Sequence, residues 1–181
     1  NSSSVLRGTD NSIINLTLTA DGFWREPITI DAIDQKLIDV LIAYEDQRFW
    51  EHSGVDLRAL TRAAGNMIKF GQIGSGASTL TMQTVRLIDT RLRERSLKTK
   101  IWQMIEALRL EKHWSKNEIL EAYFTLAPYG GNIEGIKAAT DAWFQKNPAQ
   151  LTLNEVALLV ALPQSPERRR PDRFPEAAYR A

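Results

Sequence analysis

The spacing of apolar residues changes at Asp31, and this change constrains the fold more than any other feature of the chain. Before Asp31, Ile14, Leu16 and Leu18 alternate with polar residues, which predicts a strand or a small hairpin with a turn at Asp21-Gly22. After it, apolar residues recur at helical spacing in one segment after another. The sequence therefore predicts a mainly α fold with a small extended N-terminal segment.

Residues that favour helix starts divide this helical region into segments. The predicted starts are Asp31 and Asp56 as N-caps, the segment near Ser78, Ser96, and two capping boxes, Ser115 with Glu118 and Thr152 with Glu155. The helix after Ser96 carries an uninterrupted apolar stripe: Leu97, Ile101, Met104, Ile105 and Leu108. We expect residues 1–30 to be the extended segment, 31–166 the main domain, and 167–181 a basic, irregular segment suited to link a further domain.

Composition narrows the class of protein. With 181 residues and 43% hydrophobic content, the chain can bury the core of one domain, and its net charge of +1 gives no field that would attract nucleic acid. Cysteine is absent, which excludes disulfides and thiolate chemistry. No run of about eighteen apolar residues and no signal peptide occur, so we expect a soluble or peripheral piece. Its abrupt start at Asn1-Ser2-Ser3-Ser4 is compatible with the removal of an upstream anchor. The two histidines do not form a metal-binding motif.

Glu45 is the candidate for chemistry, because it ends the first predicted helix. The negative end of a helix dipole disfavours an ionised carboxylate, which makes an acid there a better proton acceptor. Most acids at helix ends are only solvated, so this pattern alone is a weak indication.

Downstream, Gly76-Ala77-Ser78-Thr79-Leu80-Thr81-Met82-Gln83 combines a glycine-containing loop with a helix N-terminus, where free N–H groups favour an anion. A basic cluster follows it, made of Arg86, Arg91, Arg93, Arg95, Lys98 and Lys100. A charge run is usually a solvated face, but its place directly after the helix start favours a phosphate or pyrophosphate site. A second basic run, 168–170, lacks this context and is interpreted as surface or interface.

Five segments in chain order resemble the motifs of the peptidoglycan glycosyltransferases, the polymerising domain of bifunctional penicillin-binding proteins, and most closely the penicillin-binding protein 1C branch. They are Glu45-Asp46…Phe49…His52…Gly54…Asp56; Gly76…Ser78-Thr79-Leu80-Thr81-Met82-Gln83; Thr99-Lys100-Ile101-Trp102-Gln103; Lys116…Ile119-Leu120-Glu121…Tyr123; and Gly131…Gly135-Ile136…Ala139…Trp143-Phe144-Gln145-Lys146. The chain departs from the usual pattern at Leu80, at Met82, at Gln103, where the third motif has an acid, and at Thr125, where the fourth has asparagine.

The resemblance implies a lysozyme-like helical fold and an enzyme that polymerises lipid II. Glu45 would deprotonate the sugar 4-hydroxyl of lipid II, which attacks the anomeric carbon of a lipid-pyrophosphate-linked glycan with inversion. The implied substrate-binding residues are Asp46, Phe49, His52, Ser78, Thr79, Gln83, Arg86, Arg95, Lys100 and Gln103. A divalent cation, Mg²⁺ or Mn²⁺, assists some relatives, but no ligand set is visible here.

The same resemblance implies a location at the outer face of the bacterial cytoplasmic membrane and a transpeptidase domain in the full-length protein. The helix at 57–70, with Leu60, Met67, Ile68 and Phe70 beside Arg58, Arg62 and Lys69, suits a segment at the bilayer surface or an ordinary amphipathic core helix. The loop at 71–77 is a candidate for disorder because of its glycines.

Two other functions are open at this point. A lytic transglycosylase or lysozyme-type enzyme would share the fold and the single glutamate, but it has no need for the cluster from Arg86 to Lys100. An inactive module that binds lipid II stays open as an alternative because of the departures at Met82, Gln103 and Thr125.

Overall fold

The fold is known from a computed structural model that describes residues 2–10, 12–70, 77–94 and 96–180 and, within 61–70, the side chains of 61–63 and 65. Over these residues the chain forms eight α-helices, four short strands and three 3₁₀ turns. The strands are β1 (Ser4–Arg7), β2 (Ile13–Thr17), β3 (Trp24–Arg25) and β4 (Ile133–Glu134); the helices are α1 (Gln35–Glu45), α2 (Leu57–Phe70), α3 (Leu80–Ile88), α4 (Leu97–Leu110), α5 (Lys116–Leu126), α6 (Ile136–Phe144), α7 (Leu153–Ala161) and α8 (Pro175–Tyr179); the 3₁₀ turns are Ile30–Ala32, Thr90–Arg93 and Leu162–Gln164. The predicted mainly α fold with a small extended N-terminal segment is confirmed.

The chain divides into two compact units. The terminal unit contains Asn1–Val40 and Phe124–Ala181, and the central unit contains Leu41–Tyr123. Helices α1 and α5 each run across a boundary between the units. The predicted division at residues 30 and 166 therefore differs from the compact units, and the role of 167–181 as a linker stays a prediction.

In the terminal unit, the strand predicted around Ile14 and Leu16 forms as β2. It pairs antiparallel with β1, which precedes it, with Ser4 opposite Thr17, so the hairpin does not turn at Asp21-Gly22 as expected. Strands β3 and β4 pair in parallel, with Trp24 opposite Ile133. An ion pair between Arg7 and Asp141, 2.6 Å from Nη2 to Oδ2, connects the end of β1 to α6. The hairpin is therefore part of the terminal unit and not a detached arm.

Local capping explains most of the helix starts. The Asp56 carboxylate accepts the N–H groups of Arg58 and Ala59, at 2.9 and 3.1 Å, and so begins α2 as predicted. Ser96 begins α4, and both predicted capping boxes, Ser115–Glu118 and Thr152–Glu155, form.

The prediction that Asp31 caps α1 is wrong. Residues Ile30–Ala32 form a separate 3₁₀ turn that ends at Ile33 in an extended conformation. Helix α1 begins only at Gln35, and the carboxylate of Asp34 accepts the N–H of Lys36 at 3.0 Å. Two acids three residues apart offered the same local signal, and the extended residue between them decided which one caps the helix.

In the central unit, the buried face of α4 is not the apolar stripe that the sequence periodicity indicated. Its buried residues are Thr99, Gln103 and Ala107, whereas Leu97 is 86% exposed and Ile101 58% exposed. A Cβ atom on Gly54 would lie 2.6 Å from the carbonyl oxygen of Ala107, and Gly54 has φ +95°. The loop after α1 thus lies directly against the α4 backbone, and this contact sets the buried face.

The basic C-terminal segment makes defined contacts inside the terminal unit. Arg169 donates to the carbonyl oxygen of Ala161 at 2.7 Å, and Glu167 accepts the N–H of Gly131 at 2.7 Å. Arg168, by contrast, is exposed and forms no side-chain hydrogen bond or ion pair with the described residues. Among the helices described, none has the length and apolar character needed to cross a bilayer.

Candidate active site

Glu45 is the last residue of α1, as predicted, and its carboxylate lies in the central unit beside α3. Oε2 of Glu45 accepts a hydrogen bond from Nε2 of Gln83 at 3.0 Å. Glu45 is partly exposed, so it is open to a substrate while Gln83 fixes its orientation. The structure thus brings together one residue from each of the first two motifs.

Asp46 points the other way, into a buried position between the loop after α1 and the start of α3. Its Oδ2 accepts hydrogen bonds from Nε2 of His52, at 2.9 Å, and from the N–H of Leu80, at 2.8 Å. Nδ1 of His52 accepts the N–H of Gly54 at 3.2 Å, so the ring proton lies on Nε2. Asp46 and His52 therefore attach the end of α1 to the N-terminus of α3.

The N-terminus of α3 is consequently less open to a ligand than its sequence indicated. Asp46 occupies the N–H of Leu80, and Oγ1 of Thr79 accepts the N–H of Met82 at 3.2 Å. The Thr79 hydroxyl also donates to the carbonyl oxygen of Gly54 at 2.6 Å. Two of the N–H groups expected to attract a substrate anion are thus satisfied within the protein.

Beneath this layer, Phe49 is fully buried and its ring lies 4.5 Å from Nζ of Lys116. Lys116 also donates to the carbonyl oxygen of His52 and to Oε1 of Glu111, both at 2.7 Å. Buried ionic groups need such complete pairing to be tolerated. Asp46, Phe49, His52 and Thr79 thus hold supporting positions, and their direct contact with substrate stays a prediction.

The cationic side of the site is formed by α3 and α4. Lys100 donates a hydrogen bond to the hydroxyl of Ser78. Burial lowers the pKa of the Lys100 ammonium, and the positive charge of Arg86 lowers it further. Arg86 itself is exposed. Lys100 and Arg86 therefore place two neighbouring cations beside Ser78, where an anion would relieve their repulsion.

Two other members of the predicted basic cluster, Arg91 and Lys98, do not converge there. Arg91 pairs with Asp89 at 2.8 Å, and its side chain is 88% exposed. Lys98 projects about 200° around α4 from Lys100. Arg95, predicted to bind substrate, lies outside the described residues. Much of the cluster is a solvated face, which was the alternative interpretation of the sequence.

Gln103 is buried, and its Nε2 donates to the carbonyl oxygen of Leu92 at 2.7 Å. This bond attaches α4 to the 3₁₀ turn before it. A glutamate at this position could not donate to a carbonyl. The predicted contact between Gln103 and the substrate's phosphates stays a prediction.

A cavity of about 380 Å³ lies at Glu45. Arg48, Arg58 and Arg62 also line this cavity and are further functional candidates. The sequence analysis did not consider Arg48 for the site, and it assigned Arg58 and Arg62 to a helix at the bilayer surface or in the core. Tyr123, from the fourth motif, is another functional candidate. Burial raises the pKa of its phenol far above the usual range, and the negative charge of Glu45 raises this pKa further. Tyr123 therefore stays protonated next to Glu45.

A larger groove of about 1120 Å³ lies elsewhere in the central unit, between Ile88 and Trp114. It contains Trp102 and Trp114, but none of the predicted site residues that the structure describes lines it. We assign the chemistry to the smaller cavity, because that cavity combines a partly exposed carboxylate with cationic side chains.

The described residues contain no preformed cluster of metal ligands. No three histidine, aspartate or glutamate side chains converge suitably anywhere in the described part of the chain. Gln103 uses its amide nitrogen on a backbone carbonyl. The divalent cation that the resemblance allows therefore stays a prediction, and the mechanism below is written without it.

Taken together, these features are a partly exposed carboxylate with cationic side chains nearby, an arrangement that suits an enzyme of group transfer. The chain belongs to the transglycosylase family, whose model matches residues 11–181. It is 47% identical to penicillin-binding protein 1C of Escherichia coli over 90% of this chain and 21% of that protein. It is 40% identical to penicillin-binding protein 1A of the same organism, over 78% of this chain and 17% of that protein.

A third relative, penicillin-binding protein 1A of Aquifex aeolicus, is 36% identical over 83% of this chain and 21% of its own length. The chain thus spans about a fifth of the length of these curated relatives. Among solved structures, penicillin-binding protein 1A from Haemophilus influenzae aligns with a TM-score of 0.47 and 18% identity, covering 98% of this chain and 16% of that one. That similarity is low and adds nothing to the sequence match.

Proposed function

We propose that this domain is a peptidoglycan glycosyltransferase that polymerises lipid II into glycan strands. The observation that carries the proposal is the partly exposed Glu45 carboxylate, held by Gln83 at 3.0 Å. It lies in the same unit as Ser78, Lys100 and Arg86. Membership in the transglycosylase family supports the reaction class.

In the proposed reaction, Glu45 acts as the general base. Its carboxylate removes the proton from the sugar 4-hydroxyl of the acceptor, lipid II. The resulting oxygen forms a bond to the anomeric carbon of the donor, a growing glycan attached to lipid pyrophosphate. The bond from that carbon to the pyrophosphate breaks on the opposite face, so the α linkage becomes β.

The leaving pyrophosphate gains negative charge as this bond breaks. Lys100 and Arg86 would stabilise that charge, with the Ser78 hydroxyl as a hydrogen-bonding partner. The depressed pKa of Lys100 supports this role, because an ammonium that is destabilised when alone gains most from a bound anion. Arg95 is assigned to the same task by its motif position only.

We further propose that the domain works at the outer face of the bacterial cytoplasmic membrane, in a protein that also has a transpeptidase domain. The exposed apolar side chains of α4, Leu97 and Ile101, support contact with a bilayer. Replacing both with aspartate should weaken sedimentation with lipid vesicles and leave thermal stability unchanged. Unchanged sedimentation would mean that this face does not contact lipid.

Incubation of the purified domain with lipid II tests the function. We expect glycan polymer from the parent protein and at least about a hundredfold lower rate from Glu45→Gln, which keeps the size of the side chain but removes its basicity. The control is Arg168→Ala, because Arg168 is exposed and its side chain forms no hydrogen bond or ion pair with the described residues.

Other outcomes identify the other functions. Soluble fragments released from cell-wall sacculi would indicate a lytic enzyme, and lipid II binding without polymer would indicate an inactive binding module. Near-normal turnover by a folded Glu45→Gln protein would remove Glu45 from the role of base.

A further inference from the structure

The cavity at Glu45 contains an aromatic side chain that the proposed mechanism does not use. Tyr44 directly precedes Glu45 on the last turn of α1, and it lines the same cavity of about 380 Å³. Among the described residues around this cavity it is the only aromatic one, and most of the others are polar or charged. Tyr44 therefore gives the cavity a flat apolar surface next to the residue that carries the carboxylate.

The hydrophobic core does not use Tyr44. Four apolar residues of α1 are at most 8% exposed: Leu37, Ile38, Leu41 and Ile42. Tyr44, by contrast, is 61% exposed, and its side chain has no hydrogen bond, ion pair or ring contact with any residue that the structure describes. A single exposed tyrosine is ordinary on a protein surface, but one that lines the cavity of a carboxylate base is available to a substrate.

A second exposed aromatic residue follows Glu45 in the chain, and its position has a different explanation. Trp50 is 54% exposed, but its ring packs edge-on against Phe49, with 5.1 Å between the ring centroids. Trp50 is not among the described residues that line the cavity. Packing within the protein thus accounts for part of the Trp50 surface, whereas it does not account for Tyr44.

A sugar ring is the chemical group that suits the face of Tyr44. A pyranose of the gluco configuration has its hydroxyl groups around its edge and only axial C–H groups on its two faces. These C–H groups carry a small positive charge, and the face of an aromatic ring is negative and apolar, so the two surfaces attract each other. A phosphate is repelled by the same negative face. The ring therefore favours the carbohydrate part of a glycolipid over its pyrophosphate.

The position of Tyr44 on α1 indicates which sugar it contacts. Neighbouring residues on a helix differ by about 100° in direction and about 1.5 Å along the axis, so the phenol ring lies beside the Glu45 carboxylate and does not cover it. A sugar stacked on this ring directs its equatorial hydroxyl groups outwards, past the edge of the ring. An equatorial 4-hydroxyl can then reach Glu45 while the sugar ring stays on Tyr44.

We infer that Tyr44 binds the terminal sugar of the acceptor by stacking and so directs its 4-hydroxyl to Glu45. This inference rests on the proposed function, in which Glu45 removes the proton of that hydroxyl. Tyrosine is suited to the task because its ring gives a large contact area while only two side-chain torsions are fixed. Tyr44 is thus a substrate-binding residue for the acceptor, whereas Arg86 and Lys100 are assigned to the pyrophosphate of the donor.

The bilayer is the other partner that an exposed tyrosine beside a membrane can have. Tyrosine is enriched at membrane–water interfaces, where its ring lies at the level of the headgroups. Such a contact does not depend on whether the bound lipid carries a sugar. Lipids with and without sugars on the same pyrophosphate therefore separate stacking on a sugar from contact with the bilayer.

The kinetic test uses a short lipid-linked glycan whose terminal 4-hydroxyl is blocked, so that it serves only as donor, with lipid II varied as acceptor. Tyr44→Ala should raise the KM for the acceptor about five- to tenfold and change kcat and the KM for the donor less than about threefold. Tyr44→Phe keeps the ring and should stay within about twofold of the parent protein. Tyr179→Ala, a matched removal of a tyrosine that is 91% exposed on α8, should change none of these constants.

Two results of this test would overturn the inference. An acceptor KM for Tyr44→Ala equal to that of Tyr179→Ala would show that the ring does not bind the acceptor. A Tyr44→Phe protein as impaired as Tyr44→Ala would show that the hydroxyl, and not the ring, makes the interaction. Thermal unfolding verifies that each variant is folded, and Tyr44→Ala should not lower Tm because alanine is the best helix former.

A binding test accompanies the kinetics, with phosphatidylcholine vesicles that contain either lipid II or the same lipid pyrophosphate without its sugars. Tyr44→Ala should lose affinity about five- to tenfold for the lipid II vesicles and keep its affinity for the sugar-free vesicles. Equal losses on both would assign Tyr44 to the bilayer and overturn the inference, and so would unchanged affinity for both.

The proposed function and this inference fail in different ways. If the parent protein polymerises lipid II and Tyr44→Ala behaves like Tyr179→Ala, the sugar contact is refuted and the function stands. If the parent protein does not polymerise lipid II, the function is refuted, and the vesicle measurement still decides whether Tyr44 recognises the sugar.

Discussion

Removal of the Asp46 carboxylate should reveal how strongly the end of α1 is attached to the start of α3. The carboxylate accepts hydrogen bonds from His52 at 2.9 Å and from the N–H of Leu80 at 2.8 Å. Asp46 and His52 are 7% and 8% exposed, so water cannot readily replace these bonds. Asp46→Ala would leave two buried donors without an acceptor.

The expected magnitude follows from these contacts. A buried polar group that loses its partner costs about 1–3 kcal/mol, and a negative charge at a helix N-terminus contributes up to about 1 kcal/mol. We expect Asp46→Ala to lower the free energy of unfolding by about 3 kcal/mol. In Asp46→Asn, one amide oxygen at the position of Oδ2 can still accept from both His52 and Leu80, so the loss should be about 1 kcal/mol.

Urea unfolding followed by far-ultraviolet circular dichroism measures both values. In a chain of this size, 3 kcal/mol corresponds to a fall in Tm of about 6–12 °C. Asp39→Ala is the control, because Asp39 is exposed on α1 and accepts only from the Gln35 side chain, so it should change stability by less than about 0.5 kcal/mol. An Asp46→Ala protein as stable as the Asp39→Ala protein would refute the argument that Asp46 holds the two helices together.

Three further outcomes are expected. Gly54→Ala should destabilise the protein by about 2–4 kcal/mol in urea unfolding, because φ is +95° and a Cβ would lie 2.6 Å from a backbone oxygen. Gly65→Ala, which has open space around it, should instead stabilise the protein by about 0.5–1 kcal/mol. Equal effects of the two substitutions would contradict the close approach of Gly54 to the backbone. Gln103→Glu should lower the free energy of unfolding by about 1–3 kcal/mol at neutral pH, since a carboxylate would face the carbonyl oxygen of Leu92. This loss should become smaller as acid protonates the new side chain. A loss of stability that does not depend on pH would count against the contact. Because the pKa of Lys100 lies below its ordinary 10.5, binding of a phosphoglycolipid should weaken with rising pH before an ordinary lysine loses its proton. Lys100→Arg should move this decline in binding to higher pH. Identical pH profiles for the two proteins would show that the ammonium does not contact the ligand.

The sequence alone was sufficient where structure depends on neighbouring residues. The strand β2, the caps at Asp56 and Ser96 and both capping boxes are confirmed, because each depends on residues only a few positions apart. Glu45 at the end of α1 belongs to the same group. The motif order also placed the chain in its family, as the match over residues 11–181 confirms.

Contacts between distant segments decided the rest. Periodicity marked an apolar stripe on α4, but periodicity cannot say whether a partner covers that stripe, and the approach of Gly54 to the Ala107 backbone buries the opposite face. The sequence predicted an open anion site at the N-terminus of α3. In the structure, the N–H of Leu80 already donates to Asp46, which lies thirty-four positions earlier in the chain. A local pattern determines which hydrogen-bonding groups and which apolar face a segment has. The tertiary structure determines which of them are already satisfied or buried by contacts within the protein.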